Sequence, residues 1–374
     1  MAVDAQERAA LAEAVRDAAS AGPREFLDDH GRPERDGRLW KVLTEQMGLG
    51  ALLVPEAQGG AGAGVTELAV VVENLARTLA VVPGLSSIGI AGSLLRLVGT
   101  GPAMELLSQL GEDGRTATVC WSDPASTTPG PSAGARREQG NEKISVSGTF
   151  EFVLDGMHAD VLLVPVVLGG DVAVVAVDAD APGLTRTAAV GLDLTRGMAT
   201  VEFDGAPASL LGVGVPLGAA ADLALVLIAA EQVGIAQHCH EAAVAWAKDR
   251  VQFDRPIGQF QAIKHQLVDL LMAVELGRSS LDVAVVAADA YLDERSEVTA
   301  RDLSVAASMA QARCGDAAMF VADASLHILG GIGFTWEHDA HLYLRRAKVL
   351  EVLFGTPAEH RSRFAGFLLQ AAVR

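Results

Sequence analysis

The pattern of apolar residues changes twice along this 374-residue chain, and these changes constrain the fold more than any single motif does. Up to about residue 115, apolar residues recur at helical spacing, as in VTELAVVVENLARTLA. Short β-branched runs such as DVAVVAVD then alternate with turn residues until about residue 215, which is typical of strands. Helical spacing returns after Pro216. This order predicts an α+β protein with an N-terminal helical domain (1–115), a middle β barrel or sandwich (116–216) and a C-terminal four-helix bundle (217–374).

Charge and cysteine content exclude several classes of protein. The net charge of −18 would repel a phosphate backbone, so we expect no nucleic-acid partner. Three scattered cysteines lack metal-ligand spacing and favour a reducing compartment. The N-terminus has no continuous apolar run, and the most apolar stretch, LALVLIAA, is too short to span a membrane. We therefore expect a cytoplasmic protein without a membrane partner.

A basic turn interrupts the helical pattern at RVQFDRPIGQFQAIKHQLVDL, residues 250–270. Pro256 and Gly258 end one helix before another begins. Arg250 offers a planar set of donors that suits phosphate, and Phe253 could flank an aromatic ring. A solvated basic turn between two helices explains the same residues equally well.

A second segment, HILGGIGFTWEHDAHLYLRRAK at 327–348, contains three closely spaced glycines. Glycines without Cβ atoms let a phosphate or ribose approach the backbone amides, although such a run is usually only a loop. The histidines at 327, 338 and 341 fit no familiar zinc spacing, so we expect no metal site.

Together, the basic turn and the glycine segment about 70 residues later resemble the acyl-CoA dehydrogenases. The resemblance extends to LWKVLTEQMGLGALLVPEAQGGAGAG, to VSGTFEFVLDGMHADVLLV and to LDLTRGMATVEFDGAPAS, and so covers essentially the whole chain. It implies the fold of that family, FAD as cofactor, and oxidation of acyl-CoA thioesters to 2,3-enoyl products. In this family a carboxylate removes the α-proton while the β-hydrogen leaves as hydride to the flavin.

The carboxylate that this chemistry needs is missing from its usual positions. The family's Glu-Gly-Thr segment is here Phe354-Gly355-Thr356, and phenylalanine cannot accept a proton. A rarer base position, early in the first helix of the C-terminal domain, corresponds to Ala224. Glu231 lies seven residues further along the same predicted helix, and burial would make it a stronger base. A buried carboxylate paired with an arginine or a backbone donor is the alternative explanation for Glu231.

The resemblance also divides the expected FAD site into two halves. In the family, the C-terminal domain of one subunit holds part of the ADP end of its neighbour's FAD. That half is kept, because matching positions carry Arg250, Phe253, Gln261, His327 in place of the usual Gln, Gly330 and Gly331. The flavin-facing half lacks several residues that the family carries. The family's Gly-Ser-Asp triplet is replaced by Thr127, Thr128 and Pro129, and Leu154 replaces a threonine whose hydroxyl would meet the flavin.

Retention of one half beside loss of the other predicts a partner. The chain resembles subunits of the α2β2 bacterial dehydrogenases that act on steroid side-chain CoA thioesters, in which a second subunit would supply the flavin pocket and the base. The resemblance also implies an electron-transferring flavoprotein as acceptor. Two alternatives stay open: a complete homo-oligomeric dehydrogenase that uses Glu231, and a flavin-free structural or regulatory subunit.

Overall fold

The N-terminal domain is helical. The computed structural model describes residues 5–19, 27, 33–112, 114–128, 130–131, 135–137 and 143–372. The α-helices of this domain are α1 (Ala5–Ala18), α2 (Gly37–Lys41), α3 (Val65–Arg77), α4 (Gly92–Val98) and α5 (Gly101–Glu112). Two π-helical segments, Val42–Gln46 and Gly84–Ala91, extend α2 and precede α4. The apolar face of α3, which the 3.6-residue spacing predicts, packs on the C-terminal domain.

The middle domain is a curled seven-stranded sheet in the order β1-β4-β5-β7-β3-β2, with β6 also paired to β7. Its strands are β1 (Ala117–Val119), β2 (Ala135–Arg137), β3 (Ile144–Leu154), β4 (Val161–Leu168), β5 (Asp171–Asp178), β6 (Leu184–Ala188) and β7 (Met198–Val213). Among the strand pairs that the structure describes, β1 and β4 run parallel and the others antiparallel. The sheet curls because β7 pairs with β3 and β6 along its first part and with β5 near its end. A buried cluster rich in valine and alanine, with Phe150 and Phe203 in contact, forms the core of this domain.

Five α-helices, and not the predicted four, form the C-terminal domain. They are α6 (Leu217–Asp249), α7 (Gln261–Asp293), α8 (Glu297–Leu329), α9 (Ala340–Val352) and α10 (Pro357–Ala372). A short hairpin, β8 (Val251–Gln252) and β9 (Arg255–Pro256), separates α6 from α7. The last predicted helix ends at Val352 because Phe354 and Gly355 adopt φ of 59° and 101°, and Pro357 then begins α10.

The central helix α6 is buried almost all round. By length and composition, two helical stretches in the described part of the chain could cross a membrane, Leu217–Asp249 and Glu297–Phe334. The sequence expectation considered LALVLIAA alone, which continues into a longer apolar helix, so length by itself does not exclude a span here. Within α6, 94% of the most apolar window is buried by the other helices, so packing in the protein core explains its composition.

The predicted domain boundaries fall in short connections. Residue 115 lies between α5 and β1, and residue 216 lies between β7 and α6. Asp289 of α7 joins the two helical domains, because its carboxylate accepts hydrogen bonds from Val65 N (2.5 Å) and from Thr66 N and Oγ1 at the first turn of α3.

Candidate functional site

The basic turn after α6 is a tight hairpin that presents an aromatic side chain to solvent. Its two central residues, Phe253 and Asp254, have φ of 53° and 63°. These values are those of a type I′ turn, which normally selects Asn and Gly. Phe253 is 87% exposed, although its ring meets Phe260 edge-on at 6.1 Å. A phenylalanine held outward in a strained turn indicates a binding role.

The glycine segment lies at the same end of the bundle. Trp246 of α6 and Ile332 of the glycine segment both pack against the cluster of Leu326, Leu329 and Ala340, and the Trp246 ring lies 5.9 Å from the guanidinium of Arg250. The structure therefore brings together the two motifs that the sequence analysis paired.

The glycines of this segment face open space. Gly330 has φ of 68°, and a Cβ added to Gly330 or Gly331 would meet no atom within 4 Å. The neighbouring His327 is exposed, and its Nδ1 lies 2.9 Å from the Asp323 carbonyl oxygen. Its ring meets the exposed Phe334 edge-on at 5.9 Å.

All six residues predicted to contact the cofactor occupy this end of the C-terminal domain, and we call them the tail surface. They are Arg250, Phe253, Gln261, His327, Gly330 and Gly331. None of them is buried. Gln261 begins α7 just after the hairpin, and its side chain reaches His265 at 3.4 Å. A surface with open glycine backbone, an arginine and a protruding aromatic ring fits a nucleotide tail.

The segments expected on the flavin side meet at a different place, which we call the ring cleft. Its walls include Ser86, Ile90, Trp121, Pro124, Leu154 and Phe354. The volume open to the centre of a water molecule is only about 10 Å³, room for about one water. The described walls of this cleft leave little free volume for an isoalloxazine ring, whereas the tail surface is open to solvent and carries the groups predicted for the nucleotide end of FAD.

Phe354 fills the ring cleft and is fixed from several sides. It is 1% exposed, and its ring packs edge-on against Trp121 at 5.3 Å between centroids. Its backbone N–H donates to the Pro124 oxygen (2.7 Å), and Nε2 of His360 donates to its carbonyl oxygen (2.8 Å). Burial lowers the pKa of His360, so the ring is neutral at pH 7. The usual base position is thus part of the protein core.

Of the flavin-side substitutions that the structure describes, Leu154 lines the same cleft and Thr127 lies next to it. Thr127 lies against Gly355, and the Leu154 side chain lines the cleft, while the Leu154 carbonyl accepts from Thr118 Oγ1 at 2.5 Å. Thr128 donates its backbone N–H to Ser126 Oγ at 3.2 Å, a local turn contact. Pro129, the third substituted position, lies outside the described residues.

Glu231 is a buried carboxylate paired with two arginines. Arg196 Nη2 lies 2.5 and 2.8 Å from its two oxygens, and Arg346 Nη1 donates to Oε1 at 2.5 Å. Arg346 is itself 2% exposed and also contacts Asp193, Thr195 O (2.9 Å) and Thr195 Oγ1 (2.6 Å). Burial alone would lower the pKa of Arg346, but the Asp193 and Glu231 carboxylates raise it above its usual value. The geometry therefore favours the structural explanation of Glu231 over a role as base.

Ala224, at the rarer base position, is 1% exposed and carries no carboxylate. Sequence reasoning did not identify Trp121, Arg196 or Arg346 as residues of these sites. The sequence carried no distinctive signal for the two arginines, which stand beside other polar residues in LDLTRGMAT and LYLRRAKVLEV. Among the residues that the structure describes, no group of three His, Cys, Asp or Glu could hold a metal ion.

Comparison with known proteins places these features in a family. Residues 5–101 match the description "Acyl-CoA dehydrogenase, N-terminal domain", and residues 219–369 match "Acyl-CoA dehydrogenase, C-terminal domain". The chain is 32% identical to the acyl-CoA dehydrogenase IpdE2 of Mycolicibacterium smegmatis over 88% of this chain and 87% of that one.

Two solved structures of similar size share the whole fold. A variant of the Tcur3481–Tcur3483 steroid ACAD is 25% identical, with a TM-score of 0.85 over 99% of both chains. A chain of the ChsE4–ChsE5 complex from Mycobacterium tuberculosis is 27% identical, with a TM-score of 0.80 over 98% of both chains. With its three-domain order, its tail surface and these matches over most of its length, the chain belongs to the acyl-CoA dehydrogenase family.

Proposed function

We propose that this protein takes part in FAD-dependent α,β-dehydrogenation of an acyl-CoA as the base-lacking subunit of an α2β2 heterotetramer. FAD is the cofactor, and it supplies the hydride acceptor. The tail surface of this chain holds the nucleotide end of an FAD whose flavin ring lies in a partner subunit. That partner contributes the catalytic carboxylate. An electron-transferring flavoprotein accepts the electrons, and the reaction takes place in the cytoplasm, where the three buried free cysteines stay reduced.

One asymmetry carries the proposal. The tail surface is open and exposes Phe253 and Arg250 to solvent, whereas the ring cleft is narrow and the buried Phe354 and Trp121 occupy its wall. A complete dehydrogenase needs both halves, because the base must lie within hydrogen-bond reach of the substrate beside the flavin. In this chain only the tail surface, which would bind the FAD of a neighbouring subunit, is accessible.

Two relatives support the heteromeric arrangement and the substrate class. ChsE4–ChsE5 is a complex of two named components, and Tcur3481–Tcur3483 is described as a steroid ACAD. By analogy, we propose a steroid-type CoA thioester as substrate.

Co-expression with the adjacent gene product tests the stoichiometry. We expect a yellow complex that contains one FAD per pair of unlike chains, measured from flavin absorbance after denaturation and from quantitative amino-acid analysis. The chain purified alone should be colourless. A yellow and active preparation of this chain alone would refute the proposal.

Two charge-reversing variants locate the cofactor tail. In the complex, Arg250→Glu removes a charge-assisted contact to phosphate, and we expect FAD affinity to fall about tenfold or more. Arg301→Glu introduces the same charge change at an exposed site on the first turns of α8, at the other end of that helix from Gly330. Equal FAD affinity in the two variants would contradict the assigned position of the tail.

The rival in which Glu231 is the base has a direct test. In the co-expressed complex, Glu231→Gln should leave kcat within about twofold of the wild type. It should lower the melting temperature, because Arg196 and Arg346 lose their shared anion. A loss of kcat by more than about a hundredfold with KM unchanged would assign catalysis to Glu231.

The same complex also tests the other alternative, in which the chain is a flavin-free structural subunit. If Arg250→Glu changes neither the FAD content nor the flavin absorbance maximum of the complex, the tail surface is not a cofactor site and the structural role is preferred.

A further inference from the structure

One side of helix α7 presents a row of large apolar side chains to solvent. The row, which we call the α7 stripe, consists of Val268, Met272, Leu276, Val283 and Val286, each between 44% and 66% exposed. Residues at this spacing lie on one side of a helix. The other side of α7 is buried against α6 and α8, so packing within the chain does not explain the stripe. An exposed apolar surface of this kind indicates an interaction site.

The middle of the stripe carries a small residue. Ser279 lies seven positions after Met272 and seven before Val286. Its hydroxyl donates to the Glu275 carbonyl oxygen of the same helix at 3.0 Å. Because this hydroxyl already has an acceptor, an apolar surface can cover it without leaving the donor unpaired. A small residue at this point also lets a second helix approach closely.

The stripe is complementary to itself about Ser279. When two copies of α7 cross there in opposite directions, Met272 of one copy faces Val286 of the other, because both lie equally far from Ser279. Leu276 then lies beside Val283 of the second copy. A contact between identical chains about a two-fold axis needs a surface that complements itself in this way.

Charged side chains follow one edge of the stripe. By helical spacing, Glu275, Arg278 and Asp282 lie along this edge. Burial alone would lower the pKa of Arg278, but the hydrogen-bonded Glu73 and the nearby Glu275 and Asp282 carboxylates raise it above its usual value. Each copy therefore brings both signs of charge to the rim, and the centre of the contact is apolar, as in protein interfaces generally.

We propose that two copies of this chain pair through the α7 stripe, in an antiparallel crossing about a two-fold axis at Ser279. Ser279 lies about 27 Å along α7 from Gln261 of the tail surface, so the contact leaves the tail surface free for an unlike subunit. In an α2β2 assembly it joins the two copies of this chain. The pairing does not depend on FAD.

Cysteine cross-linking tests the position of the axis. The three native cysteines are buried, so a cysteine introduced at the surface is the reactive thiol. Ser279→Cys places two thiols across the axis. Ser362→Cys is a matched control, because Ser362 of α10 is also exposed and also donates to a carbonyl of its own helix, that of Ala358 at 3.1 Å. After oxidation with copper phenanthroline, we expect at least about tenfold more disulfide-linked dimer from Ser279→Cys, in the chain alone and in the co-expressed complex.

Sedimentation velocity of the purified chain over a dilution series tests the apolar contact. Val283→Asp buries a charge against the second copy, and the two-fold axis makes the change occur twice, so we expect self-association to weaken about a hundredfold. Val298→Asp adds the same charge at the exposed start of α8 and should have no effect.

Two results would overturn the proposal: equal cross-linking of the two serine variants, or equal self-association of the two valine variants. Either result would show that solvent or an unlike subunit covers the stripe. Under reducing conditions Ser279→Cys should leave the FAD content of the complex unchanged, so failure of the pairing is distinguishable from failure of the cofactor proposal.

Discussion

Replacement of Arg346 by methionine tests the ion network that joins the middle domain to the C-terminal domain. Arg346 lies on α9, Glu231 lies on α6, and Asp193 and Thr195 lie in the connection between β6 and β7. Methionine fills much of the volume of the arginine side chain with apolar atoms, but it has no hydrogen-bond donor. Glu231 retains Arg196, whereas Asp193 is left 4% exposed without its arginine.

The expected loss follows from that unpaired carboxylate. Removal of one partner from a buried ion pair costs about 3–5 kcal/mol. With an unfolding entropy of about 2.1 cal/mol/K per residue, a chain of this length should melt about 4–6 °C lower. Differential scanning fluorimetry and urea unfolding measure both quantities.

The neighbouring residue provides a matched control. Arg345 makes one long hydrogen bond, 3.4 Å to the Leu192 oxygen, so Arg345→Met should cost less than about 1 kcal/mol. Adding Asp193→Asn to Arg346→Met removes the uncompensated charge and should recover at least about 1 kcal/mol. If Arg346→Met and Arg345→Met have equal stability, the network does not stabilise the domain contact and the reasoning fails.

Three further predictions concern packing, pH and helix capping. Phe354→Ala should lower the free energy of unfolding by about 3–5 kcal/mol in urea titrations, because it leaves a cavity beside Trp121; a cost below about 1 kcal/mol would show that the cleft collapses. Burial lowers the pKa of His238 to about 4, so between pH 6.5 and 4 only the unfolded chain takes up its proton, and stability should fall by roughly 3 kcal/mol as the pH falls. His238→Gln should flatten this part of the melting-temperature profile, whereas the exposed His265→Gln should not. Asp289→Ala should cost about 1–2 kcal/mol in urea titrations, because the first turn of α3 loses its acceptor; an unchanged midpoint would contradict the capping role.

The sequence predicted the order of the domains because helical and strand periodicity are local properties of the chain. It also predicted the contrast between the tail surface and the ring cleft. The residue types Phe354, Leu154 and Arg250 alone show which chemical groups each site carries. A phenylalanine cannot be a base in any fold.

The fifth helix was missed because its start depends on the positive φ of Phe354 and Gly355, which tertiary contacts with Pro124 and His360 hold in place. The sequence left Glu231 open between a base and an ion pair. Only the tertiary structure could bring Arg196 from the middle domain and Arg346 from α9 to this carboxylate, 35 and 115 residues away in the chain. Local patterns determine which residues form helices and strands, but the environment of a buried charge is determined by groups that are distant in sequence.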